Sequence, residues 1–267
     1  MPTPLQAPLS GATRVHYIVG DPIAQVKSPS GVSEAFHTRG HNAYVMPAHV
    51  APQDLAAWVQ GVSLSKNVDG IIVTVPHKFA AFGLCATVTE RAQFLGAVNT
   101  LRRNTDGSWH GDMFDGQAMA AALQEAGSMQ GYRALLVGAG GAGTAIAHAL
   151  VLAGVRELAI HDEDTARCDT LVQRLNGLAR CAVVTGTPDP TGFEVVVNAT
   201  PVGMRAADPY PLLAEQLAAT TLVGCVITAP AITPLIATAR TRGCATVTGS
   251  QMFGKVRDLM VDFLCPA

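Results

Sequence analysis

A glycine-rich segment in the middle of the chain is the clearest candidate for chemistry. Residues Gly138, Ala139, Gly140, Gly141, Ala142 and Gly143 fit the spacing G-x-G-x-x-G. The segment follows the apolar stretch ALLV and precedes TAIAHALVLAG, which is the strand-to-helix context that this motif requires. The first glycine permits a tight turn, the second lets the backbone approach a pyrophosphate, and the third allows close helix–strand packing. We therefore predict a dinucleotide bound at a helix N-terminus; the alternative is a glycine-rich connection without a ligand.

An acidic residue after the next predicted strand indicates which dinucleotide is preferred. Asp162 lies where a carboxylate accepts hydrogen bonds from the ribose hydroxyls of NAD and repels the 2′-phosphate of NADP. Glu163 and Asp164 add to this repulsion, and the nearby cations that could offset it are Arg156 and Arg167. We predict NAD as the preferred cofactor, with NADP possible. The alternative is that these acids only stabilise the start of the following helix.

Strands and helices alternate along almost the whole chain. The predicted strands are Val15–Val19, Ala43–Met46, Gly70–Val75, Arg133–Val137, Glu157–His161, Cys181–Val184, Glu194–Asn198 and Leu222–Ile227. The predicted helices are Ser33–His37, Pro52–Val62, Gly143–Ala153, Thr165–Leu175, Thr233–Arg242 and Met252–Leu264. Such alternation predicts an α/β fold with a doubly wound parallel sheet and right-handed crossovers.

Composition argues against several classes of partner. The 267 residues include 18 Lys and Arg against 20 Asp and Glu, with 49% hydrophobic residues. This balance predicts a folded protein with no nucleic-acid or membrane partner. Two uncharged stretches, 134–155 and 216–239, contain glycines or prolines and are expected to be buried α/β elements rather than membrane spans. The first 14 residues lack an apolar core, so no signal peptide is expected.

The cysteines and histidines show no metal-ligand spacing, so no metal site is predicted. Without a C-x-x-C pair, the cysteines are expected to be reduced, mostly buried thiols of a cytoplasmic protein, although a catalytic cysteine stays open. They are Cys85, Cys168, Cys181, Cys225, Cys244 and Cys265. Five scattered histidines are interpreted as surface or core residues: His37, His41, His49, His110 and His148.

Six segments, in order along nearly the whole chain, resemble the shikimate dehydrogenase family. They are GDPIAQVKSP at 20–29, VTVPHK at 73–78, GAVNT at 96–100, GDMFDG at 111–116, NATP at 198–201 and VGM at 202–204. The resemblance implies an N-terminal α/β substrate domain, residues 1–114, and a Rossmann-type NAD(P)-binding domain, residues 115–250. A last helix within 251–267 would return to the first domain and complete it.

The resemblance also implies an activity, the reversible transfer of hydride between a nicotinamide and a cyclic hydroxy acid such as shikimate or quinate. Lys78 and Asp115 align with the catalytic pair of the family, and we expect them to converge over the nicotinamide. Oxidising a secondary alcohol requires a base for the hydroxyl proton, and the reverse reaction requires an acid. Two alternatives are a dinucleotide-binding regulatory protein without turnover, and a folate or amino-acid dehydrogenase on a similar scaffold.

Further site residues follow from the same resemblance. The expected substrate contacts are Ser28, Thr74, Asn99, Thr228 and Gln251. Besides the glycine motif and Asp162, the expected cofactor contacts are Thr200, Pro201, Gly249 and Met252. The implied partner is a small-molecule substrate bound by a monomer or homodimer.

The chain departs from the family pattern at positions that usually carry polar side chains. The replacements are Val26, Ile72, Met113, Phe114, Thr228 and Val256. Each lost hydrogen bond to a hydroxyl-rich substrate costs about 1–3 kcal/mol. The departures therefore predict a substrate less polar than shikimate, with Gln25, Gln251 and Arg205 as possible sources of new contacts.

Overall fold

The computed structural model describes residues 9–265. No signal peptide is expected in the first 14 residues, and residues 1–8 of that segment lie outside the described residues. The chain divides into two compact units. Residues 9–114 and 257–265 belong to the first, and Asp115–Val256 forms the second. Among the described residues, no helix is long and apolar enough to cross a membrane.

The first unit is built on a mixed six-stranded sheet. Its elements are β1 (Arg14–Gly20), α1 (Ser28–Thr38), β2 (Ala43–His49), a 3-10 turn (Pro52–Asp54), α2 (Leu55–Ser63), β3 (Val68–Val73), α3 (Lys78–Phe82), β4 (Thr87–Val88), α4 (Glu90–Leu95), β5 (Thr100–Arg103) and β6 (Trp109–Asp112). The strand order is β2-β1-β3-β5-β6-β4. Strands β2, β1 and β3 are parallel, whereas β5 runs antiparallel to both β3 and β6. The α/β prediction is confirmed, but this sheet is not wholly parallel.

The second unit is a doubly wound parallel sheet. Its elements are α5 (Asp115–Ala126), β7 (Arg133–Val137), α6 (Gly141–Leu152), β8 (Glu157–His161), α7 (Thr165–Asn176), β9 (Ala182–Thr185), β10 (Val195–Asn198), a 3-10 turn (Ala214–Gln216), β11 (Leu222–Cys225), α8 (Pro234–Thr241), β12 (Ala245–Val247) and the start of α9 (Gly249–Leu264). The strand order is β12-β11-β10-β7-β8-β9. Because the winding reverses between β7 and β10, the loops at their carboxyl ends form the usual ligand-binding crevice of such sheets.

Continuous apolar runs explain why the second sheet forms. Strand β10 and the last four residues of β7 are fully buried, as expected for strands covered by helices on both faces. The two uncharged stretches, 134–155 and 216–239, fold into strands and helices of this unit. Three thiols are buried, those of Cys168, Cys225 and Cys244, and the other three are half-buried. Burial raises the pKa of the Cys85 thiol to about 12, which does not suit a nucleophile.

One buried histidine of the first unit has a pKa shifted far from its ordinary value. His16 in β1 packs on Phe36, with ring centroids 4.6 Å apart, and its Nδ1 has no hydrogen-bond partner among the described residues. Burial lowers the pKa of His16 from 6.5 to about 4; Asp69 opposes this shift, whereas Arg14 and His41 add to it. The folded protein therefore holds this imidazole uncharged at neutral pH.

We expect the free energy of unfolding to fall as the pH is lowered from 6.5 toward 4. Because the folded pKa lies below the unfolded one, the unfolded chain binds the extra proton in this range. The stability that is fully present above pH 6.5 is then lost, by up to about 3 kcal/mol. Urea unfolding at several pH values checks this, and His16→Leu should show a shallower pH dependence. An equal slope in both proteins would contradict it.

Candidate active site

The carboxyl end of the first sheet brings together three of the predicted substrate and catalytic residues. Thr74 directly follows β3, and its N–H donates to the Val19 carbonyl of β1 at 2.9 Å. Lys78 begins α3, and its carbonyl accepts from the Val98 N–H at 3.0 Å. The Asn99 carbonyl accepts from the Val73 N–H at 2.7 Å. One backbone frame therefore holds Thr74, Lys78 and Asn99.

His77, which the sequence reasoning did not single out, secures this frame. It is buried, and its Nε2 lies 2.8 Å from the Val50 carbonyl oxygen, while its N–H donates to the Thr74 carbonyl at 3.0 Å. The predicted contact Ser28 is buried at the first residue of α1. Gln25, a possible new substrate contact, donates its Nε2 to the Pro22 carbonyl at 2.9 Å and so supports its own loop.

Asn99 ties the start of β5 to the end of β6. Only 1% of its surface is exposed, and its Oδ1 accepts from the Phe114 N–H and the Thr100 hydroxyl, both at 3.1 Å. Its own N–H donates to the Asp112 carbonyl at 2.9 Å. Phe114 immediately precedes Asp115, so Asn99 fixes the backbone from which α5 begins.

Lys78 and Asp115 each occupy the first residue of a helix. Lys78 is half-buried and belongs to the first unit, whereas Asp115 is buried and opens the second. The first residue of a helix has a fixed backbone conformation, which restricts the directions that its side chain can take and suits an acid–base group. The convergence of the two side chains stays a prediction.

The glycine motif has the geometry that its spacing predicts. Gly138 has φ +106°, and a Cβ there would lie 2.9 Å from both the Ala199 carbonyl carbon and Thr200 Cγ2. A Cβ on Gly143 would collide with the Gly138 carbonyl oxygen, so this glycine permits the close helix–strand packing. Gly140 caps α6, and no atom lies within 4 Å of the place where its Cβ would stand. The motif therefore leaves open room at the helix N-terminus, which fits a pyrophosphate.

Asp162 is built into the same loop. Its Oδ2 accepts from the Ala139 N–H at 2.6 Å, and its Oδ1 accepts from the Asp164 N–H and the Arg167 guanidinium at 2.9 and 2.7 Å. Burial raises the pKa of this carboxyl, but the three hydrogen bonds outweigh it and lower the pKa overall. The pairing with Arg167 was not predicted, and it partly neutralises a cation that could have met a 2′-phosphate.

The loop after β10 lies beside Gly138, and its shape comes from its own side chains. Asn198 Oδ1 accepts from the Thr200 N–H at 3.0 Å and from the Thr200 hydroxyl at 2.7 Å. The Thr200 hydroxyl oxygen also accepts from the Val202 N–H at 3.1 Å. The Thr200 hydroxyl thus shapes the loop beside the glycine motif. Pro201, also a predicted cofactor contact, is exposed.

The start of α9 carries three further predicted contacts. A Cβ on Gly249 would collide with the Ile227 carbonyl, and Met252 is buried. Gln251 Oε1 accepts from the Thr248 N–H at 2.8 Å and its hydroxyl at 3.0 Å, which is a capping box. This carbonyl oxygen therefore caps the helix, and the substrate contact of Gln251 stays a prediction. Thr228 is half-buried, and Arg205 is exposed.

Most of the apolar residues at positions where the chain departs from the family pattern pack inside the protein. Ile72 and Met113 are almost completely buried, and Phe114 and Val256 are buried as well, whereas Val26 is half-buried. These replacements therefore lie mainly in the interior of the protein. Among the described residues, no group of three or more His, Cys, Asp or Glu side chains could hold a metal ion.

A doubly wound unit with this glycine loop, joined to a unit that carries a lysine at the carboxyl end of its sheet, defines an NAD(P)-dependent oxidoreductase. The model of the shikimate dehydrogenase substrate binding domain matches residues 18–101, and that of the ThiF family matches residues 114–173. The chain is 36% identical over 250 residues to the shikimate dehydrogenase (NADP(+)) of Rubrobacter xylanophilus, covering 91% of this chain and 88% of the relative. It belongs to the shikimate dehydrogenase family, whose members act on CH–OH groups.

Solved structures agree with this assignment. The shikimate 5-dehydrogenase of Listeria monocytogenes, in complex with shikimate and NAD, superposes with a TM-score of 0.85 at 27% identity, covering 96% of this chain and 93% of that one. The quinate dehydrogenase of Corynebacterium glutamicum, in complex with NAD, gives a TM-score of 0.85 at 27% identity and covers 96% and 94% of the two chains.

Proposed function

We propose that the protein interconverts a ring alcohol and a ring ketone of a cyclic hydroxy acid, either shikimate, quinate or a less polar relative. The observation that carries this proposal is the frame at the carboxyl end of the first sheet, where backbone hydrogen bonds join the segments holding Thr74, Lys78 and Asn99. This frame lies within residues matched by a substrate-binding domain. When bound, the nicotinamide supplies or accepts the hydride.

In the proposed mechanism, Lys78 and Asp115 form the acid–base pair. In the oxidative direction they take the proton of the substrate hydroxyl, and in the reductive direction they return it to the carbonyl oxygen. The Lys78 ammonium also polarises that carbonyl. Ser28, Thr74 and Asn99 are the proposed substrate contacts in a substrate domain that residues 1–114 form and the last helix completes. Thr228, which belongs to the second unit, is a further proposed contact. The second unit would hold the dinucleotide.

The cofactor contacts follow from the glycine loop and its neighbours. The open room at Gly140 admits the pyrophosphate, and the N-terminus of α6 stabilises its charge. Asp162, already anchored on the Ala139 N–H, would accept the ribose hydroxyls. Gly138 and Gly143 permit the turn and packing that present this surface, and the loop at Thr200 flanks it.

Turnover of a substrate panel tests the proposal. The purified protein is incubated with NAD or NADP and with shikimate, quinate and analogues lacking one or two ring hydroxyls, and reduced cofactor is followed by absorbance. We expect turnover, fastest on an analogue with fewer hydroxyls, because several positions that usually carry polar side chains in the family are apolar in this chain. No reduced cofactor with any member, together with measurable dinucleotide binding, would instead support the regulatory protein without turnover.

Cofactor preference is a separate prediction that rests on Asp162. A 2′-phosphate would meet the Asp162 carboxylate, whose nearby cation Arg167 is already paired with it. We expect NADH to bind at least about tenfold more tightly than NADPH, and Asp162→Asn to narrow that ratio by about tenfold through the lost charge. Titration calorimetry measures both affinities, with the neighbouring Glu163→Gln as a matched loss of charge. Tighter binding of NADPH to the wild type would contradict the preference for NAD.

A further inference from the structure

A buried carboxylate lies three residues before Asp115 and has no part in the proposed chemistry. Asp112, at the end of β6, is 4% exposed. Its Oδ1 accepts from the Thr89 hydroxyl at 2.6 Å and from the Met113 N–H at 2.7 Å, and its Oδ2 accepts from Arg91 at 2.6 Å. Its backbone carbonyl accepts from the Asn99 N–H at 2.9 Å. Asp112 therefore joins α4 to the backbone on which Asn99 and Phe114 lie.

Arg91 holds this corner with a second interaction. Its guanidinium carbon lies 5.3 Å from the centre of the Phe114 ring, in a cation–π arrangement. Its Nε is buried and has no hydrogen-bond partner among the described residues. The Phe114 ring also contacts Phe263 of α9 in a T-shaped arrangement, with centroids 5.4 Å apart. Arg91 thus contacts both the carboxylate of Asp112 and the aromatic ring that precedes Asp115.

The helix that carries Arg91 also leads directly to Asn99. Thr89 caps α4 by accepting from the Ala92 N–H at 3.2 Å, and the helix ends at Gly96, whose φ is +62°. Three residues later comes Asn99, whose Oδ1 accepts from the Phe114 N–H. Side-chain contacts therefore link Arg91 to Asp112 and Phe114, and the Phe114 N–H is bonded to Asn99. Asn99 itself follows the helix that carries Arg91.

We propose that Arg91 is a positioning residue for the reaction, acting through Asp112 and Phe114 to fix the backbone that presents Asn99 and Asp115. The inference rests on the proposed function of those two residues. A buried ion pair generally adds little net stability over apolar replacements, so stability alone does not account for this arrangement. A role in orienting the reacting groups does account for it, because a displacement of about 1 Å at a reacting group can cost about 100-fold in rate.

Single and double variants separate positioning from stability. Asp112→Asn keeps an acceptor for Thr89 and Met113 but breaks the pair with Arg91, and Arg91→Met removes the charge while keeping much of the side-chain volume. Each single variant is expected to lower kcat about 10- to 100-fold, with KM for the substrate within about threefold, and to lower the melting temperature. The double variant, in which neither charge is left unpaired, should recover the melting temperature but not kcat.

The ion pair between Arg14 and Asp69 provides the matched control. It lies in the same unit at the opposite end of β1 and β3, so Arg14→Met and Asp69→Asn should leave kcat unchanged. Recovery of kcat together with the melting temperature in the double variant would overturn the positioning role. Recovery of kcat by Arg91→Lys, which keeps the charge near Asp112, would support it.

Hydrogen exchange gives a readout that does not depend on turnover. The amide of Phe114 should exchange faster in the double variant than in the wild type, even where the two proteins are equally stable to urea. Wild-type exchange at this amide would also overturn the inference. Failure of the wild type to oxidise any panel member would count against the proposed function, and the exchange experiment would still decide whether Arg91 holds the corner.

Discussion

Lys78→Met is expected to lower kcat about 10²- to 10⁴-fold, since it removes the group that exchanges a proton with the substrate hydroxyl while keeping most of the side-chain volume. Affinity for the dinucleotide should change little, because its proposed contacts lie in the second unit. Asp115→Asn should cause a similar loss of kcat, and the two losses should not add fully if the residues act as a pair. Steady-state rates in both directions and cofactor titrations check these expectations.

An exposed lysine of the same unit supplies the control for this experiment. Lys66→Met removes an equal charge at the end of the first sheet where β3 begins, and should leave both kcat and stability unchanged. The role of Lys78 would be untenable if its variant turned over substrate at the wild-type rate. A loss of kcat in Lys66→Met as large as in Lys78→Met would indicate a general effect of charge instead.

Two alanine substitutions in the glycine motif should separate folding from cofactor binding. Gly143→Ala is expected to destabilise the second unit by about 3 kcal/mol, since its methyl group would collide with the Gly138 carbonyl oxygen. Gly140→Ala meets no protein atom and has φ −69° and ψ −171°, which alanine adopts readily. It should leave stability within about 1 kcal/mol of the wild type, yet weaken dinucleotide binding about 10- to 100-fold.

Urea unfolding and titration calorimetry measure these two effects independently. The comparison is internally controlled, because both variants add the same methyl group within one loop. Unchanged dinucleotide affinity in Gly140→Ala would show that the open room above the helix is not where a pyrophosphate approaches. Unchanged stability in Gly143→Ala would mean that the loop can shift away from its packed geometry without cost.

The elements of the second unit could be predicted well because its sheet is buried on both faces. Continuous apolar runs define β7 and β8 at the bounds that the structure has, and β9, β10 and β11 differ from their predicted bounds by one or two residues. Helix α5 and the short strand β12 were not predicted. The first unit was harder, since β4, β5 and β6 have only two to four residues and lack a readable period. Strand β2 continues past Pro47 because it is an edge strand, where a missing N–H is tolerated.

Site features that depend on local spacing could be predicted, whereas those that depend on distant contacts could not. The glycine loop is contiguous, so its turn and packing follow from the residues alone. The contacts of His77 with Val50 and of Arg91 with Asp112 join residues more than 20 positions apart, and no local signal marks them. Gln251 carries a local signal that was not used, because its T-x-x-Q spacing with Thr248 is typical of a capping box. A substrate contact by Gln251 stays a prediction.

Helix α9 starts in one unit and finishes in the other, so described residues before and after the second unit in sequence complete the same domain. Phe263 stacks against Arg102, and Leu264 packs over Gly70 of β3. During vectorial synthesis, the ribosome releases these last side chains only after the whole second unit has emerged. Until then, part of the sheet of the first unit stays uncovered. A chain truncated before residue 257 would lack residues that complete this domain.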